Sequence, residues 1–290
     1  MPGQLKEVRN RIQSVKNTQQ ITKAMKMVSA AKLRRATERI VQMRPYANKL
    51  NEMMSNIASG VSMALAKDRE VKKVLLVVVT SDRGLAGGFN SNIIKLAKQA
   101  IAEKFSAQAK SGKLTILPVG KKALDAFRRL PYPVNTEYAH LFQTLDFAHS
   151  SLAAEWLMQQ YTKEEFDMIE IVYSQFKNAG TQIFKVERFL PVLKNDSGNK
   201  KATIDFIFEP EQDELVNELI PKILKTQFFK VLLDSNASEH GARMTAMDKA
   251  TENASELIRD LNIKYNRARQ AAITTELTEI VSGAAALQAQ

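Results

Sequence analysis

A heptad pattern of apolar residues at the start of the chain is the feature that most restricts its fold. Alternate steps of three and four residues from Leu5 reach apolar side chains as far as Val15, and again from Leu33 to Val61. This spacing is typical of a helix that packs along another helix. Pro45 lies inside the pattern and is expected to kink the helix or to remove one hydrogen bond without necessarily ending it.

The heptad pattern is interrupted between residues 19 and 29. There the same steps reach four polar side chains, those of Gln19, Thr22, Lys26 and Ser29. The apolar residues are displaced by one position, to Ile21, Met25 and Val28. A displaced set predicts a changed register over this stretch, with a changed supercoil or changed partners.

The C-terminal segment has the composition of a second long helix. From Gln212 onward it holds one proline and two glycines, and helix-forming residues dominate. An apolar 4-3-4-3 spacing continues almost to the last residue, through Ile273, Leu277, Ile280, Ala284 and Leu287. The two terminal segments are therefore expected to pack against each other as a long antiparallel coiled coil.

Strands alternate with helices in the middle of the chain. The patterns predict four strands and three helices: strands over 74–80, 114–119, 168–176 and 181–192, and helices over 91–105, 121–130 and 144–161. This order predicts an α/β domain with a mostly parallel sheet, and the last two strands form an antiparallel hairpin at one edge. The predicted divisions are an N-terminal coiled-coil helix over 1–65, an α/β domain over 70–205 and a C-terminal coiled-coil helix over 210–290.

The positive charge of the chain is concentrated at its N-terminus. Residues 1–50 hold twelve lysines and arginines against two glutamates, in a chain of net charge +11. Such a segment needs an anionic neighbour, and nucleic acid, a membrane surface or an acidic protein would each serve. Nucleic acid is disfavoured because the cations surround an apolar seam that a helix must occupy. Tyr46 is also the only aromatic residue there that could stack on a base.

A glycine-rich turn, SDRGLAGGFN from Ser81 to Asn90, lies between the first predicted strand and the following helix. Such a turn can cradle a phosphate with its backbone N–H groups. Its G-x-x-G-G spacing nevertheless matches neither the dinucleotide fingerprint nor the Walker A loop, and no lysine follows. We interpret it as a turn that needs glycine dihedral angles, or as a contact surface for another subunit.

The sequence predicts no catalytic, cofactor-binding or metal-binding residues. Cysteine is absent, which excludes disulfides, thiol catalysis and thiolate metal sites. The three histidines, His140, His149 and His240, show no metal-ligand spacing, and His240 is interpreted as structural. No apolar run approaches the ~20 residues that span a bilayer, and the first residues carry no secretion signal, so a cytoplasmic location is expected.

Three stretches of the chain resemble the gamma-subunit family of the F-type rotary ATP synthases. They are IQSVKNTQQITKAMKMVSAAKLRR (residues 12–35), the SDRGLAGGFN turn, and residues 237–287, which begin ASEHGARMTAMDKATENASELI and continue YNRARQAAITTELTEIVSGAAAL. The resemblance implies an antiparallel coiled coil of the two terminal helices beside a Rossmann-like α/β domain. A start at Met1 without a transit peptide further suggests a bacterial member.

The resemblance also implies a function without catalysis by the chain itself. The family forms the central rotor shaft, which transmits torque between the membrane c-ring and the catalytic hexamer of alpha and beta subunits. The implied partners are alpha, beta, epsilon and the c-ring, with no cofactor and no nucleic acid. The implied location is the cytoplasmic face of the bacterial membrane, peripheral and held there through the complex.

Nine residues match positions at which the family contacts its partners. Lys23, Met25, Lys26 and Arg83 match positions that face acidic loops of the beta subunits. Arg269, Gln270 and Thr274 match an upper contact with the beta subunits. Phe206 and Glu209 match a region near the c-ring and epsilon.

Overall fold

A computed structural model describes residues 2–57, 65, 69–192 and 212–288. The chain divides into two compact units. One unit comprises Met1–Val28 and Met244–Gln290, and the other comprises Ser29–Arg243. Each of the two terminal helices contributes residues to both units.

The described elements follow one another in an order that starts and ends with a long helix. They are α1 (Pro2–Ile57), β1 (Val74–Val79), α2 (Phe89–Lys104), α3 (Ser106–Lys110), β2 (Leu114–Val119), α4 (Lys121–Phe127), a 3-10 turn (Leu141–Thr144), α5 (Phe147–Thr162), β3 (Met168–Asn178), β4 (Thr181–Leu190) and α6 (Gln212–Gln288). Helix α1 continues through Pro45, and α6 continues through Pro221. None of the helices in the described ranges is both long and apolar enough to cross a membrane.

The first unit is an antiparallel pair of helices, as the sequence predicts. Contacts between the helices advance along α1 as they retreat along α6. Arg9 Nη2 donates to the Tyr265 hydroxyl at 3.4 Å, and farther along α1 the Gln19 side-chain amide donates to Ser255 Oγ at 2.7 Å. The two helices therefore run in opposite directions in a single register.

The predicted change of register between residues 19 and 29 is wrong within this unit. The seam stays on the original heptad positions, where Thr22 is only 8% exposed and its hydroxyl lies 2.8 Å from that of Thr251. One turn farther on, Lys26 forms an ion pair with Asp248. The displaced apolar residues Ile21 and Val28 are exposed to solvent. Polar side chains can occupy a helix seam when each has a hydrogen-bonding or ionic partner across it. The positions of the apolar residues alone do not reveal such partners.

Replacing both threonines of the seam, as Thr22→Val with Thr251→Val, should stabilise the helix pair. Each hydroxyl has one proton to donate and also lies within hydrogen-bond distance of a carbonyl of its own helix, that of Gln19 for Thr22 and that of Met247 for Thr251. One hydroxyl can therefore donate to its carbonyl while the other donates across the seam, so the native pair is satisfied. Valine has nearly the same shape as threonine, and folding of the double variant no longer has to remove water from two hydroxyl groups. We expect this change to add about 0.5–2 kcal/mol to the free energy of unfolding. Thermal unfolding followed by circular dichroism measures this gain.

The matched control for the threonine pair is Thr274→Val. Thr274 makes the same bond to its own helix, at 3.0 Å to the carbonyl of Gln270, but its side chain is exposed. This variant should leave the unfolding transition almost unchanged. A lower midpoint for the double variant than for the wild-type chain would contradict the account of the seam.

The second unit is built on a four-stranded sheet of order β2-β1-β3-β4. Strand β1 runs parallel to β2 and β3, and β4 runs antiparallel to β3. These pairings confirm the predicted mostly parallel sheet with a hairpin at one edge. All six residues of β1 are buried, which explains their unbroken apolar run because a central parallel strand is covered on both faces.

The two faces of the sheet are covered by different helices. Leu75, Val77 and Val79 of β1 belong to a core that includes Leu157 of α5 and Phe228 of α6. The alternate residues of β1 pack with Ile93 of α2 and Phe127 of α4 on the other face. The N-terminal helix joins this unit through Ala36 and Ile40, which pack with Leu233 and Ala237 of α6. The sheet is thus covered on both faces, and α6, on one of them, packs against α1.

The bounds of the central elements differ slightly from those predicted. The strand over 114–119 is found as expected, and the strand predicted over 74–80 ends one residue earlier, at Val79. The helix predicted over 144–161 starts later, because the side chain of Asp146 accepts a hydrogen bond from the backbone N–H of His149 and caps α5. The sequence also predicts a polar loop over 194–201, which lies outside the described residues. The predicted division at 1–65, 70–205 and 210–290 stays a prediction.

Candidate functional site

The glycine-rich turn joins β1 to α2 and is fastened at both ends by side-chain hydrogen bonds. The backbone N–H of Ser81 donates to Asn90 Oδ1 at 3.0 Å, and Ser81 Oγ donates to the carbonyl of Arg83 at 2.7 Å. The carboxylate of Asp82 accepts from the backbone N–H of Lys121 at 2.9 Å, which ties the turn to the segment after β2. The turn is therefore a fixed loop at the carboxyl end of the two parallel strands.

The middle of the turn has unusual backbone conformations. Leu85 and Gly87 have φ angles of 61° and 57°, in the left-handed region that glycine adopts readily and leucine does not. The prediction that the turn needs glycine dihedral angles is confirmed at Gly87. The side chains differ in burial: Ala86 and Phe89 are buried, whereas Arg83 and Leu85 are exposed.

Arg243 of α6 holds the turn from the side. Its Nη2 group donates to the carbonyls of Arg83 and Gly84, each at 3.2 Å. Its Nη1 group forms an ion pair with Glu239 one helical turn earlier, and the two side chains are 9% and 10% exposed. Burial raises the pKa of Glu239, and the neighbouring guanidinium of Arg243 opposes that rise.

Glu239 and His240 are predicted from the sequence to be structural, but no pairing of Glu239 with Arg243 is predicted. The available signal was their spacing of four residues, which places an acid and a base on one helix face. That spacing predicts an ion pair, but it does not predict a contact with a turn 160 residues away.

The histidines take structural positions. His240 is largely buried, which lowers its pKa to about 4, with Arg243 and Lys32 acting in the same direction. His149 Nδ1 lies 2.8 Å from the carboxylate of Asp146 at the start of α5. Over the described ranges, no group of three or more histidine, aspartate or glutamate side chains is arranged to hold a metal ion.

The residues of α1 that are predicted to contact partner subunits lie on adjacent turns of the helix-pair unit. Lys23 is exposed, and Met25 is half-buried. Lys26 is engaged with Asp248 across the seam, so part of its charge is already compensated within the chain. Lys23 is thus the freer of the two cations.

The residues predicted to form the upper contact lie near the end of α6, also in the helix-pair unit. Arg269, Gln270 and Thr274 are all exposed. Arg269 lines an open cleft of about 870 Å³ together with Arg9 and Tyr265. Gln270 and Thr274 share one helix face, because they are four residues apart. Phe206 and Glu209 lie outside the described residues.

Four apolar residues near the end of α6 do not pair with α1. Arg9 already lies opposite Tyr265, so α6 extends past the start of α1. Ile273, Leu277, Ile280 and Val281 are consequently exposed, each to 50% or more. Within the described part of the chain, they form an uncovered apolar surface.

Comparison with known proteins decides the family. Residues 4–287 match a family model described as ATP synthase. A protein of Cytophaga hutchinsonii described as ATP synthase gamma chain is 54% identical over 294 residues, covering 99% of both chains. The ATP synthase gamma chain of Chlorobaculum parvum is 49% identical over 288 residues, covering 98% of this chain and 99% of that protein.

The chain belongs to the ATP synthase gamma chain family.

Solved structures agree with the gamma-chain fold. A chain in the central stalk and c-ring structure of the Tetrahymena thermophila mitochondrial ATP synthase is 30% identical, with a TM-score of 0.57, over 79% of this chain and 99% of that one. A chain from the Euglena gracilis mitochondrial ATP synthase has a TM-score of 0.72 at 23% identity, over 100% of this chain and 96% of that one. The fold class that the sequence predicts, two long terminal helices with a central α/β sheet, is confirmed.

Proposed function

We propose that the chain is the central rotor shaft of an F-type ATP synthase. In this role it transmits torque between the membrane c-ring and the hexamer of alpha and beta subunits, and so couples ion flow to ATP synthesis or hydrolysis. The observation that carries the proposal is the full-length identity of 54% to a gamma chain. Epsilon is the fourth partner, and the complex holds the chain at the cytoplasmic face of a bacterial membrane.

A shaft changes the conformation of a catalytic subunit by making different contacts with that subunit's alternative conformations. A ligand or subunit shifts a conformational equilibrium only as far as its affinities for the two states differ. An asymmetric rod that turns inside a ring changes which contacts each ring subunit makes, which is a rigid-body form of allostery. The paired helices α1 and α6 supply such a rod, and the exposed residues along them supply the contacts.

The direct test is rotation. A full-length chain carrying a fluorescent or bead label is assembled with the alpha and beta subunits, and ATP is added. We expect the label to turn in one direction as ATP is hydrolysed. Steady hydrolysis by a complex whose label stays still would contradict the proposal, as would purification of the tagged chain from membranes without alpha and beta subunits.

The chain itself supplies no catalytic group in this proposal. The glycine turn has the spacing of no common phosphate-binding loop and is not followed by a lysine. Arg83 and Leu85 point out of it, which suits a protein contact better than an enclosed phosphate. Isothermal titration of ATP into the isolated chain should show no binding at micromolar concentrations. Micromolar affinity there would overturn this part.

The basic α1 helix contributes to docking through many weak contacts in this proposal. Exposed ion pairs contribute about 0–1 kcal/mol each and are screened by salt. Lys26 is also shared with Asp248. Single lysine changes should therefore be mild, whereas neutralising Lys23, Lys26 and Arg83 together should weaken coupling.

We expect Arg269→Ala or Gln270→Ala to lower ATPase turnover or assembly yield more than Lys23→Ala does. Arg269 is exposed and presents a planar fork of donors to a partner, and a hydrogen bond from a charged group contributes about 1.5–3 kcal/mol. The measurement is steady-state ATPase activity and ATP-driven proton pumping in reconstituted membranes. Deletion of Gln288–Gln290 is the control and should be nearly silent. The placing of the upper contact is wrong if both alanine variants match the wild type while the deletion abolishes activity.

A further inference from the structure

A groove with an aromatic wall lies on the surface of the sheet unit, between α1, α5 and α6. Its volume is about 490 Å³, within the range of small-molecule sites, and all of its lining residues belong to the unit Ser29–Arg243. Phe147 at the start of α5 and Phe229 of α6 stand edge to face, with ring centroids 5.6 Å apart and an interplanar angle of 81°. The groove is therefore built from three helices of one unit.

The base of the groove is part of the core. Leu233 lines the groove and is only 2% exposed. It also packs with Ala36 and Ile40 of α1, in the cluster that joins α1 to α6. A groove on so fixed a base loses little conformational entropy when a ligand binds, so more of the contact energy appears as affinity.

The wall of the groove exposes more aromatic surface than the core requires. Tyr46 of α1 is 53% exposed and Phe147 is 45% exposed. Single exposed apolar side chains are common on protein surfaces, but these two line the same groove together with Met43. Apolar surface gathered in a groove is typical of a ligand site, and aromatic rings offer a bound molecule a large apolar area.

The interior of the groove asks little of a ligand in hydrogen bonds. Thr226 is buried there, and its hydroxyl donates to the carbonyl of Lys222 in its own helix at 2.8 Å. The hydroxyl is thus satisfied without a ligand. An apolar chain can cover it without leaving a polar group unpaired, which is the usual penalty for burying one.

The rim of the groove is positively charged. Arg39 of α1 and Lys222 of α6 are both exposed there, and no acidic side chain of the described residues lines the groove. Lys222 forms an ion pair with Glu218 at 3.8 Å, but that pair is exposed and contributes little. Asp146, the residue before Phe147, accepts a hydrogen bond from the backbone N–H of His149. The planar fork of an arginine matches the two oxygens of a carboxylate.

We propose that this groove binds a single-chain fatty acid, a molecule with one carboxylate and a flexible apolar chain. Arg39 and Lys222 hold the carboxylate at the rim, and the acyl chain lies against Met43, Phe147 and Phe229. The apolar groove favours any molecule with such a chain, and the cationic rim selects the anionic one among them. The site belongs to the isolated chain and does not rest on the proposed function.

The selectivity for an anionic head group is tested by calorimetric titration of the isolated full-length chain. Sodium dodecanoate is compared with dodecyltrimethylammonium, which has the same chain and the opposite charge, both below the concentrations at which they form micelles. Dodecanoate should bind about tenfold more tightly or better, because a hydrogen bond to a charged group is made only with the carboxylate. Equal affinities for the two molecules would overturn the proposal.

The role of the rim is tested with the double variant Arg39→Gln with Lys222→Gln. Its affinity for dodecanoate should fall about tenfold. The matched control is Arg35→Gln with Lys249→Gln, which removes the same charge from exposed positions of α1 and α6 outside the groove. A general attraction between a basic chain and an anion would weaken equally in both. Equal losses in the two double variants would therefore overturn the role of the rim.

Photolabelling locates the acyl chain. A fatty acid with a diazirine on its chain is irradiated together with the wild-type protein, and mass spectrometry identifies the labelled peptides. We expect the label on peptides that contain Met43, Phe147 or Phe229.

The rival position is the apolar surface near the end of α6, beside the open cleft at Arg269. That cleft is also lined by Glu276 and Glu279, whose charges oppose an anion. Label confined to residues 273–281, or spread equally over that stretch and the groove, would overturn the assignment.

Discussion

Gly120→Ala is expected to lower the free energy of unfolding of the sheet unit by about 4 kcal/mol or more, or to prevent folding. Gly120 follows β2 at a φ of 105°, which side chains rarely tolerate. A side chain there would also run into the backbone of Thr80, with its first carbon 2.7 Å from the carbonyl carbon. The positive φ and the contact with Thr80 both involve the backbone. A side chain at position 120 could therefore be accommodated only by separating the ends of β1 and β2.

Two other glycines serve as matched controls for Gly120. Gly112 has a positive φ of 69° but open space around it, so Gly112→Ala should cost only about 1 kcal/mol. Gly84 has an ordinary φ and no neighbour closer than 3.9 Å, so Gly84→Ala should be nearly neutral. Urea unfolding of the three variants gives the comparison. The explanation fails if Gly120→Ala is no more damaging than Gly112→Ala.

Asp234→Asn should stabilise the chain at pH 8, by up to about 3 kcal/mol, and the gain should disappear toward pH 4. Burial raises the pKa of Asp234 to about 6, against the opposing charges of Lys230 and Arg44. Between pH 3.8 and pH 6, the carboxyl group of Asp234 is therefore mostly protonated in the folded chain and mostly ionised in the unfolded chain. The aspartate favours folding less as pH rises from its unfolded pKa of 3.8 through 6. An asparagine can keep the bond from the backbone N–H of Phe176 without the buried charge.

The contribution of His240 to stability depends on pH in the opposite sense and so provides an internal check. Its pKa is lowered to about 4, so the folded chain keeps it neutral while the unfolded chain takes up a proton near pH 6.5. Its contribution to stability is present above pH 6.5 and is lost as pH falls toward 4. His240→Gln should thus lessen the loss of stability on acidification, whereas Asp234→Asn should deepen it. Unfolding measured in urea at pH 4, 6 and 8 distinguishes them. A loss of stability at pH 8 in Asp234→Asn would contradict the account of the buried carboxyl.

The sheet and its layers could be predicted from the sequence because local patterns determine them. The unbroken apolar run of β1 and the alternation of β4 each reflect how many faces of the strand are covered. The seam between residues 19 and 29 could not be predicted in the same way. Thr22 and Lys26 count as solvent-facing in an apolar pattern, and only their partners Thr251 and Asp248 make them suitable for a helix interface.

The candidate site, too, could be predicted from the sequence only where local patterns determine it. The glycine turn is recognisable from its own ten residues, and so is its lack of a phosphate-binding pattern. The grip of Arg243 on that turn depends on chain folding over 160 residues. The requirement for glycine at position 120 likewise depends on the approach of Thr80, which nothing in the neighbouring residues signals.

The uncovered apolar residues near the end of α6 have a consequence for the cell. A copy of the chain made without its partners would leave Ile273, Leu277, Ile280 and Val281 facing water on one short stretch of helix. Contiguous apolar surface of this kind promotes aggregation. Such a copy is an orphan subunit, of the kind that chaperones and proteases remove when it accumulates. Matching the synthesis of this chain to that of its partners is therefore a matter of protein quality control as well as of stoichiometry.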